Sequence, residues 1–157
     1  MKIIKKILLL LFIGLLISQF FSPEKNKGDL TSVNAFFKDT NTPENIKLIL
    51  KESCFDCHSS NTRYPWYNSI TPVNYFIAGD IKEAHEELNF STWNEYTIKK
   101  KDHKLEELVE VLEEKEMPLP SYTWTHGKAK LSETQIETVV EWAKFTRVKY
   151  GLAPKPQ

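Results

Sequence analysis

Two cysteines and one histidine form the pattern in this chain that is most specific for chemistry. Cys54 and Cys57 are the only cysteines among 157 residues, and His58 follows the second directly. This spacing is what c-type haem attachment requires, because two thiols about one helical turn apart can add to the two vinyl groups of one porphyrin. The histidine can then bind the iron as its proximal ligand, since the thioethers hold the porphyrin beside this backbone. The pattern therefore predicts haem c, attached through both cysteines, with His58 as an iron ligand.

Three other interpretations of this stretch remain open at the level of sequence. A structural zinc site needs about four ligands, usually in two pairs, and His85, His103 and His126 show no paired spacing. A redox-active dithiol of the thioredoxin type would lie beside a βαβ pattern, and no strand pattern surrounds these cysteines. A plain disulfide is the third interpretation. Covalent haem attachment is favoured because an export signal also precedes the motif.

A methionine in the second half of the chain is the candidate for the second axial ligand. Met117 is the only methionine after the initiator, and Pro118 and Pro120 stiffen the loop that carries it. Such a loop has little conformational entropy left to lose when the sulfur binds iron. His126 is the chief alternative and would give a bis-histidine haem, while an open sixth position is the third option. Met117 can also be read as a side chain that fills a gap in the core.

An aromatic loop follows the cysteine motif. Residues 59–72 place Trp66 and Tyr67 between two prolines. Such rings can wall a flat cofactor, and either Arg63 or the Trp66 N–H could reach a propionate. The alternative is that they are ordinary core rings in a loop-rich domain. We include Trp66 and Tyr67 among the predicted cofactor-binding residues.

Residues 1–22 read as a membrane-targeting segment. Lys2, Lys5 and Lys6 form a positively charged start, and residues 7–21 are almost entirely apolar. No small-x-small cleavage site follows the apolar run. An uncleaved anchor with its positive end in the cytoplasm is therefore favoured, and a cleaved signal peptide is the close alternative. Both interpretations export the rest of the chain.

The charge balance excludes one class of partner. The formal net charge is zero, and without the three lysines of the leader 18 basic residues stand against 21 acidic ones. This is far from the basic surface that nucleic-acid binding requires, so we expect no nucleic-acid partner.

The polar stretch at 23–41 is predicted to be a tether, whose Val33, Phe36 and Phe37 side chains can dock onto the domain. After it, apolar residues recur at helical spacing through most of the chain. The predicted helices cover 43–54, 72–88, a short segment after a capping box at 92–95, 105–116, and 132–151 after a second capping box. No strand pattern, internal repeat or second domain is present in the sequence. The predicted fold class is therefore all-α.

An ordered series of short motifs resembles the haem-binding domain family that is widespread in Bacteroidetes and allied bacteria. The series is Cys54–Ser59, Pro65–Tyr67, Thr71–Val73, Leu88–Ser91, Met117–Pro120 and Trp142–Ala143. The resemblance covers about residues 43–150 and implies a c-type haem on Cys54 and Cys57 with His58 as ligand. Members of the family also occur fused to peroxidase-type domains, and the resemblance implies no settled physiological role. Many relatives carry a histidine or arginine near Gly79–Asp80, and this chain does not.

The sequence therefore predicts a small cytochrome c-like helical domain around one covalently bound haem. The predicted divisions are 1–22 as leader, 23–41 as tether, 42–151 as haem domain and 152–157 as tail. The expected function is one-electron transfer with His58 and Met117 on the iron, between redox partner proteins, on the periplasmic side of the inner membrane. No catalytic residue is expected, because the haem carries the chemistry. The alternatives are a haem-based ligand sensor and a peroxidase-associated domain with an open or histidine-ligated sixth position.

Overall fold

A computed structural model describes residues 2–152, with the backbone alone for Leu152. Within these residues every regular element is helical and no strand is present, which confirms the predicted all-α class. One isolated antiparallel bridge joins Lys27 to Asn61. Residues 153–157, which make up most of the predicted tail, lie outside the described residues.

The described part of the chain forms eight α-helices joined by turns and 3₁₀ segments. The α-helices are α1 Lys2–Ser18, α2 Asn34–Thr40, α3 Glu44–Ser53, α4 Phe55–His58, α5 Val73–Glu87, α6 Ile98–Glu113, α7 Pro120–Thr125 and α8 Glu133–Leu152. The 3₁₀ segments are Leu30–Val33, Trp66–Ser69, Phe90–Glu95 and Gly127–Ala129. Helices α3, α5, α6 and α8 correspond to the long helices expected from the sequence.

The core lies where α6 packs along α8 and where α2 meets the 3₁₀ segment after α5. Phe36, Phe90 and Trp93 are fully buried there. The Phe36 ring centroid lies 4.6 Å from that of Phe90 and 4.9 Å from that of Trp93, the latter in an edge-to-face arrangement. Burial of each such ring stabilises the fold by about 1.5–3 kcal/mol.

One predicted capping box forms and the other does not. At the start of α8, the Ser132 N–H donates to Gln135 Oε1 (2.9 Å) and the Gln135 N–H donates to Ser132 Oγ (3.2 Å). The box expected at Thr92 is wrong, because Thr92 lies inside a 3₁₀ segment and its hydroxyl donates to a backbone carbonyl. The N-cap of α6 is Thr97, whose Oγ1 accepts from the Lys100 N–H. Burial of the intervening Trp93 outweighs the local capping signal.

The segment predicted as a tether is largely folded onto the domain. Residues 30–40 form a 3₁₀ turn followed by α2, and Val33 and Phe36 are buried in the core. Upstream of them, the Gly28 N–H donates to the Ser60 carbonyl at 2.6 Å. A Cβ on residue 28 would lie 2.8 Å from that oxygen, so this close approach requires glycine. The predicted docking of Val33 and Phe36 therefore extends to most of the segment.

Helix α1 exposes its apolar side chains on all sides. Its end is joined to the domain, since the Gln19 side-chain amide both donates to and accepts from the Thr71 backbone at 3.0 Å. None of the helices among residues 2–152 combines the length and the apolar character needed to cross a membrane.

Candidate functional site

A single tight turn carries the two cysteines and the histidine. Helix α3 buries Ile46 and Leu50 in the core and ends at Ser53. Helix α4 then starts at once, because the His58 N–H donates to the Cys54 carbonyl at 2.9 Å. The three residues of the motif are therefore fixed to the core by the helix that precedes them.

A backbone hydrogen bond fixes the His58 ring. Nδ1 lies 2.8 Å from the Leu88 carbonyl oxygen, at the end of α5. A carbonyl can only accept, so Nδ1 carries the proton and the Nε2 lone pair is left to bind a metal. Burial lowers the pKa of His58 below its ordinary value, despite the opposing effect of the Leu88 carbonyl. The neutral imidazole, which is the form that ligates metals, is thereby favoured.

Both cysteines are free thiols with strongly raised pKa values. Burial raises the pKa of Cys54 to about 12, helped by the proximity of Cys57. Burial also raises the pKa of Cys57 to about 12, with smaller contributions from the carboxylates of Asp56 and Asp80. Both groups are therefore protonated thiols at neutral pH.

Two adjoining cavities, which we call the His58 cavities, open beside this turn. Their volumes are about 280 and 160 Å³, and Cys54, His58 and Met117 line both. Cys57 lines the smaller one. The walls of the larger cavity are mainly apolar and include Leu88, Phe90, Leu108, Val111 and Leu112. Two thiols, one orientated imidazole, a thioether and apolar walls are the groups that a covalently attached haem needs, so the residues present fit that cofactor.

Met117 reaches these cavities from the end of α6. The N–H groups of Glu116 and Met117 both donate to the Val111 carbonyl, at 2.9 and 3.2 Å. This folds the loop back over the last turn of α6 before α7 begins. Met117 and His58, which lie far apart in the sequence, are thus brought to the same cavities.

The rival histidines lie elsewhere. His126 lines a third cavity of about 230 Å³, which also contacts Cys57, and does not line the His58 cavities. Its ring stacks on Tyr122 with centroids 4.3 Å apart. His85 Nε2 lies 2.9 Å from the Ser59 carbonyl oxygen. Neither His126 nor His85 is therefore among the described residues that line the His58 cavities.

The aromatic loop contributes less to the site than the sequence suggests. Trp66 is 79% exposed and lines neither His58 cavity. Tyr67 lines the third cavity, and its hydroxyl lies 2.7 Å from Thr125 Oγ1. Arg63, one of the two alternatives for reaching a propionate, donates through its guanidinium to Asp56 and Glu52. The physical reason is that the buried carboxylate of Asp56 needs a cationic partner, and Arg63 supplies it.

Asp56, inside the cysteine motif, is a site residue that the sequence did not reveal. Its side chain is buried, and its two oxygens accept hydrogen bonds from Arg63 Nε (2.9 Å), the Arg63 N–H (3.1 Å) and the Tyr122 hydroxyl (2.6 Å). Burial raises the pKa of Tyr122, and the bond to Asp56 raises it further. The signal that was available is general: a carboxylate that is buried in the fold must find hydrogen-bond donors. Nothing in the spacing identifies Tyr122.

The zinc interpretation gains no support from the arrangement of side chains. Among residues 2–152, no group of three or more His, Cys, Asp and Glu residues is placed to hold a metal ion.

Comparison with known proteins gives one match. The family model described as a haem-binding domain matches residues 13–145. This range starts well before residue 43 and includes the segment predicted as a tether. Neither the curated proteins nor the solved structures contain a significant match. Because the family model covers most of the sequence, and the residues around His58 fit the cofactor, the chain belongs to the haem-binding domain family.

Proposed function

We propose that this haem-binding protein is a c-type cytochrome that carries single electrons. Cys54 and Cys57 would form the thioether bonds, and His58 and Met117 would bind the iron. When bound, haem iron supplies a ferric–ferrous couple at which one electron is taken up and released. The polypeptide then needs no catalytic residue, because its part is to bind, orientate and enclose the cofactor.

One observation carries this proposal: His58 and Met117 line both cavities together with Cys54, and the smaller one also with Cys57, whereas His126 lines neither. The hydrogen bond to Leu88 also leaves His58 with the nitrogen that a proximal ligand uses. Methionine–histidine ligation gives a higher reduction potential than bis-histidine ligation. The apolar walls also raise the reduction potential, because a low-polarity environment disfavours the more positively charged ferric state.

We also propose that the protein acts on the periplasmic side of the inner membrane, with unidentified redox proteins as donor and acceptor. Residues 1–22 would direct export and associate with the membrane. The support is the three lysines at the start of α1 and the apolar surface that follows them, which is unfavourable in water. Covalent haem attachment takes place in the exported compartment.

The test is spectroscopic and uses the full chain produced with a c-type maturation system. We expect a pyridine haemochrome of the c type and a near-infrared sulfur-to-iron charge-transfer band in the ferric protein. Met117→Ala should abolish the band and retain the covalent haem, because only the thioether ligand is removed.

His126→Ala is the matched control and should retain the band. If the band survives in Met117→Ala, another group binds the iron and the carrier proposal loses its ligand. If the ferric spectrum instead shows bis-histidine ligation that His126→Ala abolishes, ligand sensing or peroxide chemistry becomes the better interpretation.

A further inference from the structure

Lys104 is a buried cation without a role in the function proposed above. It lies on α6 with 8% of its surface exposed. Its Nζ is 2.7 Å from Glu107 Oε2 and 3.7 Å from Glu87 Oε2. Burial of an ammonium group is costly, and a pair with Glu107 one turn along a helix can form equally well on the surface. The pair alone therefore does not account for the burial of Lys104.

The position of Lys104 relative to the cavities is more informative. It lines the larger His58 cavity together with Cys54, His58 and Met117. Among the described residues that line the two His58 cavities, Lys104 is the only lysine or arginine. The remaining charged side chains are all acidic: Asp80, Glu83, Glu87, Glu107 and Glu110. Among these charged side chains, only Lys104 attracts an anion.

Haem brings two propionate carboxylates into such a site. Each propionate is an anion that the acidic side chains around the cavity disfavour. These charge interactions are strong because the rest of the cavity wall is apolar. A lysine ammonium has three donors, so Lys104 can hold a propionate and keep one contact with Glu107. Glu107 is about one-third exposed and can also turn to water.

We propose that Lys104 binds a propionate of the haem and offsets the negative charge of the cavity walls. This inference rests on the proposed haem site and adds the residue that recognises the anionic edge of the cofactor. A cation beside the haem favours the ferrous state, because reduction adds an electron to the centre. Lys104 therefore raises the reduction potential as well as holding the propionate.

The experiment compares variants of the full chain matured with haem c. Lys104→Met removes the charge and keeps a similar stem, whereas Lys104→Arg keeps the charge. Lys82→Met, at an exposed position on α5 outside the His58 cavities, is the control. The measurements are the midpoint potential and the resonance Raman propionate bending band, which responds to hydrogen bonds at the propionates.

We expect Lys104→Met to lower the midpoint potential and shift the propionate band. Lys104→Arg and Lys82→Met should stay close to the unsubstituted protein. Loss of haem from Lys104→Met with retention in Lys104→Arg would also support the proposal. Equal behaviour of the Met and Arg variants, whether unchanged or without haem, would overturn it. Absence of covalent haem from the unsubstituted protein would instead overturn the proposed function, and this proposal with it.

Discussion

The Asp56 carboxylate connects the cysteine motif to the part of the chain that follows Met117. It is buried between Cys54 and His58, and accepts a hydrogen bond from the Tyr122 hydroxyl on α7. Arg63 supplies the compensating charge. A buried carboxylate without donors would destabilise the fold by far more than any one of these three hydrogen bonds contributes to its stability. The contact with Tyr122 therefore helps to hold α7, and with it the Met117 loop, against the turn that carries His58.

Tyr122→Phe tests this link at a single atom. The substitution keeps the ring and removes one hydrogen bond to a buried carboxylate, so we expect the free energy of unfolding to fall by about 1–2 kcal/mol. The measurement is denaturant unfolding of the haem-loaded protein. Tyr67→Phe is the matched control, because its hydroxyl contacts only the exposed Thr125 hydroxyl. Equal losses in the two variants would show that Asp56 does not depend on Tyr122.

At the scale of elements, α2 is joined to three other parts of the fold through one carboxylate oxygen. Asp39 Oδ2 accepts from Trp93 Nε1 (2.8 Å), Lys101 Nζ (3.0 Å) and the Tyr150 hydroxyl (2.7 Å). Burial on its own would raise the pKa of Asp39. The hydrogen bonds from Tyr150, Lys101 and Trp93 together outweigh burial, so the pKa lies below the ordinary value of 3.8.

Asp39→Asn should therefore destabilise the protein in a pH-dependent way. A carboxyl group whose pKa is lower in the folded state stabilises the fold above its unfolded pKa, and this contribution is lost as the pH falls through the folded pKa. At pH 7 we expect a loss of about 1–2 kcal/mol, reduced by the partial exposure of the site. Below about pH 3.8 the difference between the two proteins should shrink. Chemical denaturation at pH 7 and pH 3 measures both values.

Glu44→Gln serves as the control for this prediction, because Glu44 is an exposed residue whose one ion pair within residues 2–152 is with Lys47. It should change stability little at either pH. A pH-independent loss in Asp39→Asn would mean that the charge of Asp39 does not matter to the fold.

Short-range sequence patterns, such as capping boxes and apolar spacing, predicted the helices that are determined by interactions between sequence neighbours. The α8 capping box and the apolar spacing of α6 needed no information from elsewhere in the chain. The segment that contains α2 is predicted from sequence to be a tether because Val33, Phe36 and Phe37 stand among mostly polar residues. The burial of Phe36 depends on its contacts with Phe90 and Trp93, which lie far away in the sequence. Helix α7, only six residues long, has no periodicity to detect and depends on Tyr122 for its position.

Part of the site was also predictable from local sequence. Covalent chemistry fixes the spacing of Cys54, Cys57 and His58, so sequence alone identifies the motif as a haem-attachment candidate. Met117 could be proposed because no other methionine follows the initiator. Lys104 could not, since its place beside the cavity follows from where α6 lies relative to the turn that carries Cys54 and His58, and not from its neighbours in sequence.

At the scale of the whole molecule, the folded unit begins before the boundary that the sequence suggested. The Asn26 side chain donates to the Ser59 carbonyl at 2.8 Å, and the Gly28 N–H donates to the Ser60 carbonyl. The family match likewise extends upstream of residue 42. Residues 26–41 therefore hold the loop that follows His58. Helix α1 precedes this unit and is joined to it through Gln19, the residue after the helix.

Two truncated chains test where the folded unit begins. A chain that begins at Gln19 keeps every contact of residues 26–41, and we expect its melting temperature and haem content to match those of the full protein. A chain that begins at Thr42 loses Val33 and Phe36, each contributing about 1.5–3 kcal/mol. That loss is comparable with the whole stability of a small domain, about 5–15 kcal/mol. We expect this chain to be largely unfolded and poor in haem.

Both truncated chains should be exported behind the same heterologous signal peptide, so that maturation is equal for the two. Circular dichroism melting and the pyridine haemochrome then report fold and cofactor independently. If the chain that begins at Thr42 melts like the longer one, residues 26–41 are a tether after all and the buried contacts of Phe36 contribute little. If the chain that begins at Gln19 also loses haem, the fold depends on α1 itself, because α1 is the only part that this chain lacks.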